Sequence, residues 1–171
     1  APGEIGEITV TGPVVTKAYY NRSDSTKLAK IKHPELGIIY HRMGDVGYFD
    51  DQGRLWMCGR KAHRVVTPDG TLFTIPVERI FNTHPAVKRT ALVGVEKDGI
   101  VIPTLCVERE ASGGDLDDET LINELKAIGG KHDVTRPIHN FMFHSCFPVD
   151  VRHNAKIFRE QLATWAKDKF S

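Results

Sequence analysis

The stretch VKRTALVGVEKDGIVIPTLCVERE, Val87–Glu110, decides the fold. Two apolar runs flank Asp98-Gly99, a dipeptide that suits a two-residue turn, so the segment reads as two antiparallel strands. Upstream, IPVERIFNTHP (75–85) reads as a short helix, with Pro76 at its first position and Val77, Ile80, Phe81 and His84 on one face. Before it, HRVV and TLFTI flank Pro68-Asp69-Gly70, a second hairpin signal. Downstream, DLDDETLINELKAIGG (115–130) is a helix: acidic in its first turn, apolar at Leu121, Ile122, Leu125 and Ile128, stopped by Gly129-Gly130. IHNFMFHS (138–145) is a last strand. The pattern from residue 62 onward is therefore α+β, with helices on a small sheet.

The C-terminal stretch PVDVRHNAKIFREQLATWA (148–166) reads as an amphipathic helix with Phe158, Leu162 and Trp165 on one face. Asn154 serves as N-cap, which puts Ala155 and Lys156 at the first two helical positions. A cation there faces the positive end of the helix dipole, at a cost of about 0.3–1 kcal/mol. Broken local rules of this kind often mark function, but this stretch alone favours the plainer alternative, a lysine that points into water.

The first sixty residues read differently. GEIGEITVTG and GPVVTKAYY alternate around Gly and Pro, and GDVGYFDDQGRLWMCGR turns as a hairpin at Asp51-Gln52-Gly53. Between them, NRSDSTKLAKIKHPELG is a polar loop with one helical turn. No long helix covers these strands, and they start abruptly, as if within a larger structure.

Composition narrows the class. The 171 residues are 40% hydrophobic with a net charge of +1, which fits a soluble globular protein. No basic stripe marks a nucleic-acid partner, no apolar run spans a bilayer, and no leader peptide is evident. Three dispersed cysteines, Cys58, Cys106 and Cys146, fit reduced thiols in a cytoplasm. His139, His144 and Cys146 do not share one strand face, so they read as structural groups and not as a metal site.

GEIGEITVTGPVVTKAYYN, HRMGDVGYFDDQGRLWMCGR and HNAKIFRE stand in the order and spacing of late motifs in the adenylate-forming enzymes, and the chain resembles that superfamily over most of its length. Its members include acyl-CoA synthetases, peptide-synthetase adenylation domains and luciferases. The resemblance implies that residues 1–61 are a β-barrel fragment of a large N-terminal domain. Residues 62–171 are then a small mobile C-terminal lid, with a hinge near Lys61-Ala62.

It also implies site roles. Asp45 accepts hydrogen bonds from the ribose hydroxyls of ATP, and Arg60 contacts the nucleotide near the hinge. Lys156 is the catalytic lysine that reaches the α-phosphate and the carboxylate during adenylate formation. By position alone, His63 next to the hinge and His153 three residues before Lys156 are further candidates, each either entering the site in one lid orientation or capping a local carbonyl, the latter favoured. No protein metal site is implied. ATP and Mg2+ are the implied cofactors, the metal being held mainly by the nucleotide and by regions upstream. The phosphate loop and adenine pocket also lie upstream, so this piece alone is expected to be inactive.

The wording GRKAHRV…PVERIFNTHP and FPVDVRHNAKIFRE is most similar to the bacterial β-lactone synthetases of olefin biosynthesis. Those enzymes adenylate a long-chain β-hydroxy acid, whose own hydroxyl then closes the ring. Val65 and Val66 stand where thioester-forming relatives carry a lysine, and Ala62 stands where the hinge usually has Asp or Lys. Fatty acyl-CoA ligase and peptide-synthetase adenylation domain are the alternatives within the class. A non-catalytic docking module on the same fold is the alternative outside it. The implied partners are the acid substrate and other enzymes of its pathway, in the cytoplasm.

Overall fold

A computed structural model describes residues 1–112, 116–150, 152 and 156–170. The chain divides into two compact units, Ala1–Ala62 and His63–Ser171.

The first unit is built around one long strand. Its elements are β1 (Gly6–Val10), α1 (Ser23–Ala29), β2 (Lys30–Lys32), β3 (Ile39–Phe49) and β4 (Leu55–Arg60). β1, β2 and β4 all pair antiparallel with β3. The result is an open four-stranded sheet, and these strands do not by themselves close the expected barrel. The polar segment after Asn21 holds more structure than one helical turn: seven residues of α1 lead into β2. The β3–β4 turn lies where Asp51-Gln52-Gly53 predicts it, with Gly53 at a φ of 73°. Asp50 organises that turn by accepting from the backbone N–H of Gln52 and of Arg54. The same carboxylate takes the indole N–H of Trp56 at 2.8 Å, which ties Trp56 to its own hairpin. Only Val46, Gly47, Cys58 and Gly59 are buried in this unit.

A 3-10 turn, Lys61–His63, ends the first unit and begins the second, which carries β5 (Val65–Thr67), β6 (Gly70–Leu72), α2 (Thr74–Phe81), β7 (Val87–Lys97), β8 (Ile100–Arg109), α3 (Asp118–Gly129), β9 (Asn140–Phe143) and α4 (Arg159–Lys169). β7 and β8 form the long antiparallel hairpin read from the sequence, with Asp98 and Gly99 at φ of 52° and 77°. β9 pairs with β8 in parallel, so β8–α3–β9 is a crossover unit and β8 is the central strand.

Strand alternation sorts this sheet into two cores. Leu92, Leu105 and Val107 face α2 and α3, where they meet Val77, Phe81, Leu121 and Leu125. Ala91, Val93, Val95 and Cys106 face the other way, against Leu162 and Ala166 of α4. Burial on both faces is why β7 reads as a nearly unbroken apolar run. Deep burial pushes the Cys106 thiol up to about 12, so it is an inert core group.

Two helix starts differ from the sequence reading. Pro76 is the third residue of α2, not the first. This costs nothing, because the first hydrogen bond inside the helix runs from Val77 N–H to Phe73 C=O, and position 76 needs no donor. The larger correction concerns α4, which begins at Arg159 and not at Ala155. Lys156 is not in its first turn. The chain at 156–157 is extended instead: Val149 and Ile157 form an antiparallel bridge, and Asp150 N–H donates to Lys156 C=O at 3.0 Å. The proposed N-cap, Asn154, lies outside the described residues, as does His153.

Candidate functional site

In the first unit, Asp45 and Arg60 are register partners across β3 and β4. Gly44, with a φ of 71°, turns the backbone immediately before Asp45. A bulge follows between Val46 and Gly47, where Gly47 lets the strands close up; a Cβ there would stand 2.5 Å from Trp56 C=O. These two distortions aim Asp45 at Arg60. Arg60 Nε lies 3.1 Å from Asp45 Oδ1, and a second guanidinium nitrogen donates to Met43 C=O at 3.0 Å. Arg60 thus holds the carboxylate in place, a contact that sequence reading did not anticipate.

The Lys61 side chain is anchored as well. Its ammonium lies 2.7 Å from Glu7 Oε2, and Arg42 grips the same carboxylate with two donors at 3.0 and 2.6 Å. Hydrogen bonds from Arg42 and Lys61 outweigh burial and hold the Glu7 carboxyl at about 2. β1 therefore fixes the chain up to the residue before Ala62.

Lys156 belongs to the second unit and directly precedes Ile157, which bridges antiparallel to Val149. Its side chain is exposed, and its ammonium has no ion-pair partner among the described residues. The backbone around it is well held: beyond the two contacts already given, Phe158 N–H donates to Pro148 C=O at 2.9 Å. Asp150, beside the lysine in this ladder, accepts from Arg152 N–H at 2.9 Å. His63 meets α4 rather than open solvent, with Nε2 3.5 Å from Glu160 Oε1.

Sequence reading missed one polar group near the Val149–Ile157 bridge. Glu78 of α2 and Arg159 of α4 form a two-pronged pair at 2.5 and 2.9 Å, both largely buried. The available signal was an acid set among the apolar residues of IPVERIF. His144 is structural: its ring packs edge-on against Trp165 at 4.6 Å, and its Nδ1 accepts from Cys146 N–H. Among the described residues, no group of three or more His, Cys, Asp or Glu side chains could hold a metal ion. No described helix is long and apolar enough to cross a membrane.

No family model matches the chain. The olefin beta-lactone synthetase of Xanthomonas campestris pv. campestris is 53% identical over 169 residues, which are 97% of this chain and 30% of that protein. O-succinylbenzoate coenzyme A synthetase from Bacillus subtilis, solved with AMP, has a TM-score of 0.74 at 25% identity over 95% of this chain and 31% of its own. ATP-bound MatB from Rhodopseudomonas palustris has a TM-score of 0.78 at 24% identity, covering all of this chain and 32% of its own. The chain thus spans about 30% of the length of the relative most alike in sequence among these. By sequence and by fold, the chain matches a C-terminal stretch of olefin beta-lactone synthetase and of structural neighbours in the adenylate-forming superfamily.

Proposed function

We propose that this chain is the C-terminal part of an ATP-dependent enzyme that converts a β-hydroxy acid into a β-lactone. In the first step, the substrate carboxylate attacks the α-phosphorus of ATP, giving an acyl-adenylate and releasing pyrophosphate. In the second, the substrate's hydroxyl attacks the acyl carbonyl, loses its proton, closes the ring and releases AMP. Attack within one molecule benefits from a high effective concentration and needs no external thiol.

The residues take distinct parts. Lys156 brings positive charge to the α-phosphate as two anions are forced together, and stabilises the charge spread over the transition state. Asp45 accepts hydrogen bonds from the ribose hydroxyls, and Arg60, which pairs with its Oδ1, contacts the nucleotide near the hinge. Residues 62–171 act as a lid turning about Lys61-Ala62, with His63 and His153 supporting the hinge and the lysine. Mg2+ bound with ATP would supply charge neutralisation at the phosphates, and among the described residues no group of three or more His, Cys, Asp or Glu could hold it, so its ligands would come from the nucleotide and from the rest of the enzyme.

The observation that carries the proposal is the exposed ammonium of Lys156, which has no described counter-ion on an otherwise pinned backbone. Exposure is ordinary for a lysine and only leaves this ammonium available to a bound anion; the resemblance of HNAKIFRE to the adenylation motif is the reason to assign it one. The likeness to olefin beta-lactone synthetase supports the lactone branch. So do Val65 and Val66 of β5, apolar residues in the region where the resemblance to thioester-forming enzymes leads one to expect a lysine. The test is product analysis of the complete enzyme with ATP and a long-chain β-hydroxy acid. Lactone and AMP formed without coenzyme A are expected. Strict dependence on a thiol, with a thioester as product, would overturn the lactone assignment and favour an acyl-CoA ligase.

A further inference from the structure

We infer that Glu78 and Arg159 are positioning residues for Lys156, setting where the lysine-bearing segment meets the sheet. The inference rests on the proposed role of Lys156 and adds to it the means by which an exposed side chain is placed.

Arg159 is the first residue of α4, three positions after Lys156. A cation in that turn opposes the helix dipole, and α4 has no side-chain cap to fix its entry. The unfavourable first-turn cation read from the sequence therefore exists, but it is Arg159, and it has a dedicated partner. Its guanidinium takes both oxygens of Glu78, whose Oε1 also accepts Leu92 N–H at 2.7 Å. Arg159 further approaches Leu92 C=O at 3.4 Å. Three elements thus converge on one planar ion pair: α2 supplies the acid, β7 the backbone groups and α4 the base.

An apolar contact of similar volume would hold α4 about as firmly, since taking two charges out of water offsets most of their attraction. Two-pronged geometry supplies something apolar packing does not, a defined angle and register. The register matters because Ile157 and Phe158 are tied to Val149 and Pro148, so any slide of Arg159 moves Lys156 with it. Burial raises the Glu78 pKa against the pull of Arg159, so the acid depends on its partner to remain charged.

The experiment uses the complete enzyme and measures pyrophosphate release and ATP KM for three changes: Arg159→Lys, the double change Glu78→Met with Arg159→Met, and Lys156→Ala. The double change removes both charges together and leaves no unpaired ion, so it keeps a folded enzyme available. Each Arg159 variant should lower kcat by about 100-fold with little change in KM, the effect of displacing a reacting group by roughly 1 Å. In a Lys156→Ala background the same changes should cost almost nothing further, because the group they position is gone. Unaltered kcat in the folded double variant overturns the inference, as does an equal loss in both backgrounds. A fully active Lys156→Ala enzyme is a separate result: it removes the lysine's role, and the positioning with it.

Discussion

At the scale of single residues, the site combines one side chain left available with several held tightly. Asp45 is of the second kind. Arg60 already orients its carboxylate, so in the proposed role Asp45 would accept the ribose hydroxyls with little ordering of the acceptor. Asp45→Ala should therefore raise the KM for ATP by roughly 10–100-fold, the value of a hydrogen bond to a charged group, and change kcat much less. Steady-state kinetics over a range of ATP concentrations measures this, and an unchanged KM would contradict the ribose assignment. Motif order alone nominates Asp45, Arg60 and Lys156 for the proposed site. The Asp45–Arg60 contact could not be found that way, because it depends on the bulge in β3 and on a cross-strand register that spacing does not reveal.

At the scale of elements, turn chemistry and periodicity made most of the second unit legible. Asp98-Gly99 marks the β7–β8 turn because both residues adopt positive φ, and the acidic start of α3 is a true cap, with Asp117 accepting from Thr120 N–H. The start of α4 was misread for a physical reason. Lys156, Ile157 and Phe158 fit a helical pattern, but long-range pairing with 148–150 holds them extended. No local window contains that information.

Glu108 of β8 shows another hidden tie. Its nearly fully buried carboxylate takes Lys88, Arg89 and the N–H of Phe147, joining β7 and β8 to the chain that leads to Val149. Burial alone would raise its pKa, but the hydrogen bonds from Lys88, Phe147 and Arg89 together bring it to about 2 from an ordinary 4.5. A carboxyl lowered by folding stabilises above its unfolded pKa, and that stabilisation disappears as pH falls through about 2. The difference corresponds to about 3 kcal/mol. Glu108→Gln should lose about that much stability at pH 7. Its stability should also change less steeply between pH 4.5 and 2 than that of the unaltered protein. Denaturant titrations across this range measure both, and parallel curves would contradict the assignment.

At the scale of the whole molecule, the two units differ in kind. The second has two packed cores on either face of its sheet, and its α+β character is plain in the sequence. The first buries almost nothing and exposes large apolar side chains such as Val14, Tyr20, Leu28 and Phe49. So small a core makes a unit depend on neighbours for stability. The barrel fragment is implied by the family resemblance and not by the strand pattern; the strands present form an open sheet around β3. Closure is a property of strand number and shear, which one piece of a sheet does not determine.

The account turns on the charge that Lys156 brings to the nucleotide. The most direct measurement is pyrophosphate release by the complete enzyme before and after Lys156→Ala, with thermal unfolding followed alongside. Loss of one group aimed at transition-state charge predicts a fall in kcat of about 10²–10³-fold. An exposed side chain without a described ion-pair partner predicts a stability change within about 0.5 kcal/mol. Pyrophosphate release at the original rate, from a variant as stable as the parent, would contradict the claim.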